Sequence, residues 1–163
     1  MEIVIIVAVD EKLAIGLNGD QPAYIRGDLK RFKQLTTGHA IVMGRKTFEA
    51  LPKGALPNRR NIVMTREPNL QLLGCEMAHT VDEVIEICKN EEKLFVIGGG
   101  QIYKSFMPKV DRLLITRIHK SFSNADTWFP EIDSDQWITR EMGEVLVDEK
   151  SGLSYQYETL IRK

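Results

Sequence analysis

The stretch His39-Ala40-Ile41-Val42-Met43-Gly44-Arg45-Lys46-Thr47-Phe48-Glu49-Ala50-Leu51 decides the fold class. His39 to Met43, apolar from Ala40 on, reads as a buried strand covered on both faces, as in a parallel sheet. Gly44 follows at once, and Arg45, Lys46 and Thr47 open a short helix running through Leu51. Strand, glycine turn and helix thus form one βα unit. The same order recurs on both sides of it.

Upstream, Ile3 to Val9 is a second apolar, β-branched strand. Asp10 to Tyr24 is a long connection with Gly16, Asn18-Gly19 and Pro22, the length of a binding loop or lid, with a tight turn at Asn-Gly. A helix spans Tyr24 to Leu35 and ends near Thr36-Thr37-Gly38. Downstream, the Pro52–Pro57 segment breaks the chain before a strand at Arg60–Thr65 and a shorter one at Cys75–Ala78. Thr80 and Glu83 form a capping box that opens a helix to Lys89. Leu94 to Ile97 is a strand ending in Gly98-Gly99-Gly100, and the next helix, Gln101 to Met107, stops at Pro108. Arg112–Ile118, Trp137–Val147 and Leu153–Ile161 are strand-like, with a hairpin turn at Glu149-Lys150-Ser151-Gly152. The pattern predicts one α/β domain over residues 1–163, a three-layer sandwich whose mostly parallel central sheet carries antiparallel C-terminal strands and flanking helices. Strand order is not legible at this level.

A chain of 163 residues, 43% hydrophobic and 28% charged, is long enough to bury a substantial core. The net charge of -1 argues against a nucleic-acid or acidic-membrane partner. No apolar run approaches the ~20 residues a membrane span needs, and the start Met1-Glu2 lacks the basic opening of a signal peptide. Cys75 and Cys88 have no metal-ligand spacing, so no metal is expected and both are read as reduced, buried thiols of a cytoplasmic monomer, with a disulfide the lesser reading.

Asp28 is the anomaly. Ile25, Leu29, Phe32 and Leu35 form the apolar stripe of its helix, and Asp28 falls inside the stripe with no basic residue expected beside it. A carboxylate against apolar groups is costly unless it is hydrogen-bonded. Two readings are open: Asp28 grips a planar, N–H-rich ligand, or it caps a helix starting at Leu29. Elsewhere, Gly44 to Thr47, Gly98 to Gly100 and Thr65-Arg66 all lie at the ends of predicted parallel strands, where ligands of such sheets bind. Glycines, fresh helix N–H groups and basic side chains suit phosphates, so a dinucleotide is the expected ligand. The Rossmann spacing Gly-x-Gly-x-x-Gly is absent.

With these residues in view, the chain resembles the dihydrofolate reductases over essentially its whole length. The matching motifs are Ile6-Val7-Ala8, Ile15-Gly16, Asp28-Leu29-Lys30-Arg31-Phe32-Lys33, Ile41 to Glu49, Leu56 to Asn61, Val96 to Tyr103, Thr116 and Asp126-Thr127-Trp128-Phe129-Pro130. The resemblance implies reduction of 7,8-dihydrofolate by hydride transfer from NADPH. It places Ile6, Val7, Ala8, Asp28, Leu29, Phe32, Leu51, Arg59, Ile97, Tyr103 and Thr116 around the folate, with Asp28 the catalytic residue that binds the 2-amino and N3 side of the pterin while water delivers the proton, and Arg59 on the glutamate tail. It gives Ala8, Ile15 and Gly16 to the nicotinamide, and Gly44, Arg45, Lys46, Thr47, Gly98, Gly99, Gly100, Gln101 and Ile102 to the phosphates. Thr65, Arg66 and His79 would meet the 2′-phosphate, a cis peptide is implied at Gly98-Gly99, and residues from about 39 to 90 would form an adenosine-binding subdomain.

The sequence departs from the family pattern at Ala23, where many members carry Trp, at Asp20-Gln21-Pro22 in the lid, and at Gln101, where some have Arg. Two other readings stay open: a reductase of the same fold acting on a phosphoribosylamino-pyrimidine, and a folate- or NADPH-binding protein that has lost turnover. Trp128 and Trp137 are read as packing residues, and His39 and His119 as surface or satisfied histidines.

Overall fold

The computed structural model describes residues 1–17 and 19–163. Asn18 of the expected Asn-Gly turn lies outside the described residues. The elements in chain order are β1 (Glu2–Val9), β2 (Ala14–Gly16), α1 (Arg26–Thr36), β3 (Ala40–Gly44), α2 (Arg45–Glu49), β4 (Arg60–Met64), β5 (Cys75–Ala78) and α3 (Val81–Ile87). There follow β6 (Lys93–Gly98), α4 (Gly100–Phe106), a 3-10 turn at Met107–Lys109, β7 (Arg112–Ile118), β8 (Thr127–Trp128), β9 (Trp137–Met142), β10 (Leu146–Val147) and β11 (Ser154–Arg162).

The main sheet runs β10-β11-β7-β1-β6-β3-β4-β5, with β9 also paired to β11. The block from β7 to β5 is parallel, and β11 joins β7 antiparallel, as the sequence pattern predicts. Alternation along each strand divides the core into two layers. Ile3, Ile5, Val7, Val42, Val96 and Ile115 face one side, where Val84 of α3 and Phe106 of α4 pack on them. Val4, Ile6, Ile41, Met43, Phe95 and Leu114 face the other, under Phe32 and Leu35 of α1 and Phe48 of α2. This is the expected three-layer sandwich.

Several local readings are corrected, among them Cys75, which is a free thiol but only partly buried. The long connection after β1 is not without structure, since β2 pairs β8 in a separate two-stranded sheet. The expected strand from Trp137 to Val147 is split into β9, which pairs residues 158–162 of β11 with a register shift inside it at Thr159/Leu160, and β10, which pairs Ser154 and Tyr155, the Gly143 N–H donating to the Tyr157 carbonyl between them. Trp137 is buried beneath the Arg162 guanidinium, but Trp128 is 52% exposed and does not pack a core. The Thr80–Glu83 box forms only in half: Glu83 N–H donates to Thr80 Oγ1, but the Glu83 carboxylate accepts from the N–H of His79 instead of that of Thr80.

Candidate active site

A crevice opens where the registers of neighbouring strands part. β1 and β6 pair from Glu2↔Lys93 to Ile5↔Val96 and no further, while β1 continues against β7 to Val9↔Arg117. Beyond Val96, β6 shifts register on its other side as well, so that Met43 lies opposite Gly98. The connections leaving β1 and β6 diverge at this point, and ligands of open α/β sheets bind at such switch points. The crevice has Ile6 on one wall and Ile97 on the other, and the Tyr103 hydroxyl crosses it to donate to the Ile6 carbonyl at 2.9 Å.

On the β1 side, α1 lies over a row of residues drawn from three strands. Ala8 is opposite Thr116, and Thr116 is opposite Tyr157, so the three share one face of the sheet. α1 begins at Arg26 with Ile25 as its cap residue and no side-chain cap of its own. The reading of Asp28 as a helix cap is therefore excluded. Asp28 instead sits within the first turn, half-buried, and Thr116 Oγ1 donates to its Oδ1 at 2.6 Å. Removal from water pushes the Asp28 carboxyl above its ordinary value, against the Thr116 hydrogen bond and the positive charge of Arg31, which both pull it down. Arg31 also overturns the expectation that no cation stands beside Asp28. It lies one turn on, with its guanidinium stacked 3.9 Å from the centre of the Tyr157 ring.

Ile6, Phe32, Leu51 and Ile97 come together in the layer beneath α1 and α2. Leu29 is 42% exposed at its rim. Val7 points into the opposite layer, so of this residue only the backbone can face the crevice. Arg59 stands at the far end of α1, its Nε donating to the Pro57 carbonyl and its Nη1 to Thr36 Oγ1 at 3.1 Å.

The glycine turns at the ends of β3 and β6 adjoin. Gly98 has φ of +126°, a conformation that side chains resist, and the Gly98-Gly99 peptide is cis as the family resemblance implies. A Cβ on Gly98 would lie 3.3 Å from the Tyr103 hydroxyl and 3.5 Å from Thr47 Oγ1, and one on Gly44 would press Ile102 Cγ1 at 3.1 Å. These are cradles a side chain would fill, and they sit beside the Thr47 hydroxyl and the N-terminal N–H groups of α2 and α4. The donor set fits a pyrophosphate. Ile15 approaches the same turn from the lid, with its Cδ1 3.9 Å from where a Gly100 Cβ would be. Gln101 and Ile102 follow in α4.

Further along the sheet edge, Arg45 pairs with Glu49 at 2.7 Å while Lys46 and Arg66 are exposed. Thr65 and His79 end β4 and β5 side by side, with His79 Nδ1 2.8 Å from the Thr65 carbonyl.

A sequence model of the family described as dihydrofolate reductase matches residues 2–162. The chain belongs to the dihydrofolate reductase family. It is 40% identical over 157 residues to the dihydrofolate reductase of Staphylococcus haemolyticus, covering 96% of this chain and 93% of that one. It is 42% identical over 154 residues to that of Bacillus subtilis, covering 93% and 89%. Among solved structures, dihydrofolate reductase from Enterococcus faecalis, complexed with NADP(H) and RAB-propyl, superposes with a TM-score of 0.91 at 38% identity, over 99% of this chain and 96% of that one.

Family motifs did not point to every residue that shapes the site. Tyr155 and Tyr157 support α1 from β11, Tyr155 with its hydroxyl only 2.6 Å from where a Gly27 Cβ would stand. Asp148 accepts from the Arg26 N–H at 3.4 Å and so supplies from a distant hairpin the cap that α1 lacks. Only a strand-period pattern of tyrosines near the C-terminus hinted at the first, and nothing local at the second.

Proposed function

We propose that this chain reduces 7,8-dihydrofolate to 5,6,7,8-tetrahydrofolate with NADPH as hydride source. The observation that carries the reading is the crevice itself, which has a half-buried carboxylate on one side and a glycine-lined phosphate cradle on the other. Asp28 accepts paired hydrogen bonds from the 2-amino and N3 side of the pterin, and Thr116 holds the carboxylate in place for them. Ile6, Phe32, Leu51 and Ile97 enclose the rings and exclude water, with Leu29 closing the rim. Arg59, already fixed by Pro57 and Thr36, offers its guanidinium to the carboxylate of the glutamate tail.

Bound NADPH supplies the hydride to pterin C6. Ala8, Ile15 and Gly16 line the nicotinamide end, while Gly44 to Thr47 and Gly98 to Ile102 hold the phosphates. The proton for N5 comes from water, because Asp28 faces the other end of the ring and acts by orienting and polarising it. Thr65, Arg66 and His79 select the 2′-phosphate. With His79 Nδ1–H spent on the Thr65 carbonyl, His79 can donate to that phosphate only as imidazolium. The segment of about 39–90 is the adenosine-binding subdomain, and the enzyme acts as a cytoplasmic monomer. No described helix is long and apolar enough to cross a membrane.

The test is loss of NADPH absorbance with dihydrofolate, for the wild type and Asp28→Asn. Turnover by the wild type, slowed by roughly a hundredfold or more in the variant, is the expected result. Tight NADPH binding without turnover would leave a binding protein in its place.

A further inference from the structure

Arg31 has a choice of positions, and it takes an unexpected one. It lies on a helix whose neighbouring Lys30 and Lys33 are exposed, yet its guanidinium folds inward onto the Tyr157 ring, 3.9 Å from the centroid. Its Nη1 is buried and makes no hydrogen bond. A buried donor left unpaired is costly, so the position needs an attraction that offsets the loss. The ring face contributes part of it, as a guanidinium over an aromatic ring is held electrostatically. The remainder comes from Asp28, three residues earlier on the same face of α1.

Among the described residues, the other groups that face Asp28 are neutral. β7 contributes the Thr116 hydroxyl, α4 the Tyr103 phenol, and β11 the Tyr157 phenol with Tyr155 behind it. Both Tyr103 and Tyr157 have their phenols pushed up, chiefly by burial and then by the Asp28 charge, Tyr157 to about 12, so neither ionises in the working range. Arg117, next to Thr116 in sequence, points to the opposite face of the sheet and is spent on Glu158 at 2.8 Å. Among the described residues Arg31, one turn on from Asp28, is the cation whose charge bears on the carboxylate.

We infer that Arg31, pinned on the Tyr157 ring, is the positioning residue whose fixed positive charge keeps the Asp28 carboxylate anionic in its apolar setting. The inference rests on the proposed function only in treating Asp28 as the pterin's partner. Burial alone favours a neutral carboxyl, which would present one acceptor and a misplaced proton to the substrate's N–H groups. A cation that hydrogen-bonded Asp28 directly would occupy the oxygens the pterin needs. One held a turn away by an aromatic ring stabilises the charge and leaves both oxygens free of it.

The experiment is an NMR titration of carboxyl-labelled aspartates in the ligand-free protein, with the Asp28 signal assigned by its loss in Asp28→Asn. Arg31→Met should move the Asp28 midpoint upward, and Tyr157→Leu, which frees the guanidinium to swing into solvent, should move it the same way by less. Tyr157→Phe keeps the ring and should leave the Arg31 effect in place. Lys33→Gln removes an equal charge from the exposed face of the same helix and should change little. A midpoint unmoved by Arg31→Met, or moved as far by Lys33→Gln, would overturn the inference. The titration needs no turnover, so a shifted midpoint in a protein that fails to reduce dihydrofolate would sink the functional reading and leave this one standing.

Discussion

Thr116 Oγ1 donates to Asp28 Oδ1 across 2.6 Å, tying the middle of β7 to the first turn of α1. Thr116 is 1% exposed, so its hydroxyl has no water to turn to. The bond steadies the carboxylate for a ligand and favours its charged form. Thr116→Val preserves shape and removes the donor. It should cost about 1.5–3 kcal/mol of stability, the range for a hydrogen bond to a charged group. In the same variant KM for dihydrofolate should rise more than kcat falls, because the oxygen is misplaced while the rest of the pocket persists. Urea unfolding and steady-state kinetics read the two effects separately.

Asp28 itself should trade stability for function. Its carboxyl lies above the ordinary value in the folded protein, with burial as the main cause. A group raised in this way binds its proton more tightly when folded, so the folded state gains as pH falls through that raised value towards the unfolded one and is penalised above it. Asp28→Asn is neutral throughout and keeps an oxygen for Thr116 to donate to. The variant should therefore melt at a higher temperature than the wild type at pH 8, and the advantage should shrink as pH falls. Turnover should be lost at the same time. Melting curves across pH check the first part, and an advantage that grew on acidification would contradict it.

The parts of this molecule that were legible in the sequence are local. Ile3 to Val9, Ala40 to Met43 and Leu94 to Ile97 are unbroken apolar runs, and each gives way to an aspartate or a glycine that marks the coming turn. Strand, turn and helix could therefore be placed, and with them the glycine cradle. What escaped depends on residues far apart in the chain. Nothing near Ala14–Gly16 announces its partner Thr127–Trp128, since three residues are too few for a period to show. Arg31 looked like one more solvated charge on an amphipathic helix until β11 brought Tyr157 beneath it. Asp28 was conspicuous as an oddity in its stripe, but its role in the fold needed Thr116, 88 residues away.

The cap on α1 gives a prediction of opposite sign to that for Asp28. Asp148 accepts from the Ser151 hydroxyl and N–H and from the Arg26 N–H, and these bonds, led by the Ser151 hydroxyl, hold its carboxyl below the ordinary 3.8. A depressed carboxylate contributes stability that is present above the unfolded value and is lost as pH falls through the folded one. Asp148→Ala should thus be less stable than the wild type at pH 6, and the gap should close below about pH 4. Because the cap belongs to the helix that carries Asp28, amide exchange in the first turn of α1 should quicken in the variant. A gap that persists undiminished at pH 3 would show that the loss came from packing instead.

Asp10 anchors the lid to the sheet. Its side chain is 3% exposed at the end of β1, and its Oδ1 accepts from the N–H groups of Lys12 and Ala14 at 2.8 Å each. Oδ2 accepts from Phe122 N–H at 2.9 Å, so one carboxylate joins the start of the lid to the segment that leads into β8. Asp10→Ala would strand three backbone donors, that of Ala14 buried and those of Lys12 and Phe122 partly so. Each such group costs about 1–3 kcal/mol when left unpaired, so the total should reach roughly 3 kcal/mol or more. Asn replaces one oxygen with an NH2 group that faces a donor, so Asp10→Asn should fall between the two. The damage should also spread along the β2–β8 pair, whose neighbouring links are Asp126 N–H to the Gly16 carbonyl and Phe129 N–H to the Leu13 carbonyl at 2.7 Å. Hydrogen exchange at Asp126 and Phe129 should accelerate in Asp10→Ala while exchange in β3 and β4 rises only as far as the global stability falls. Equal acceleration everywhere would mean that Asp10 supports the fold as a whole and not the lid.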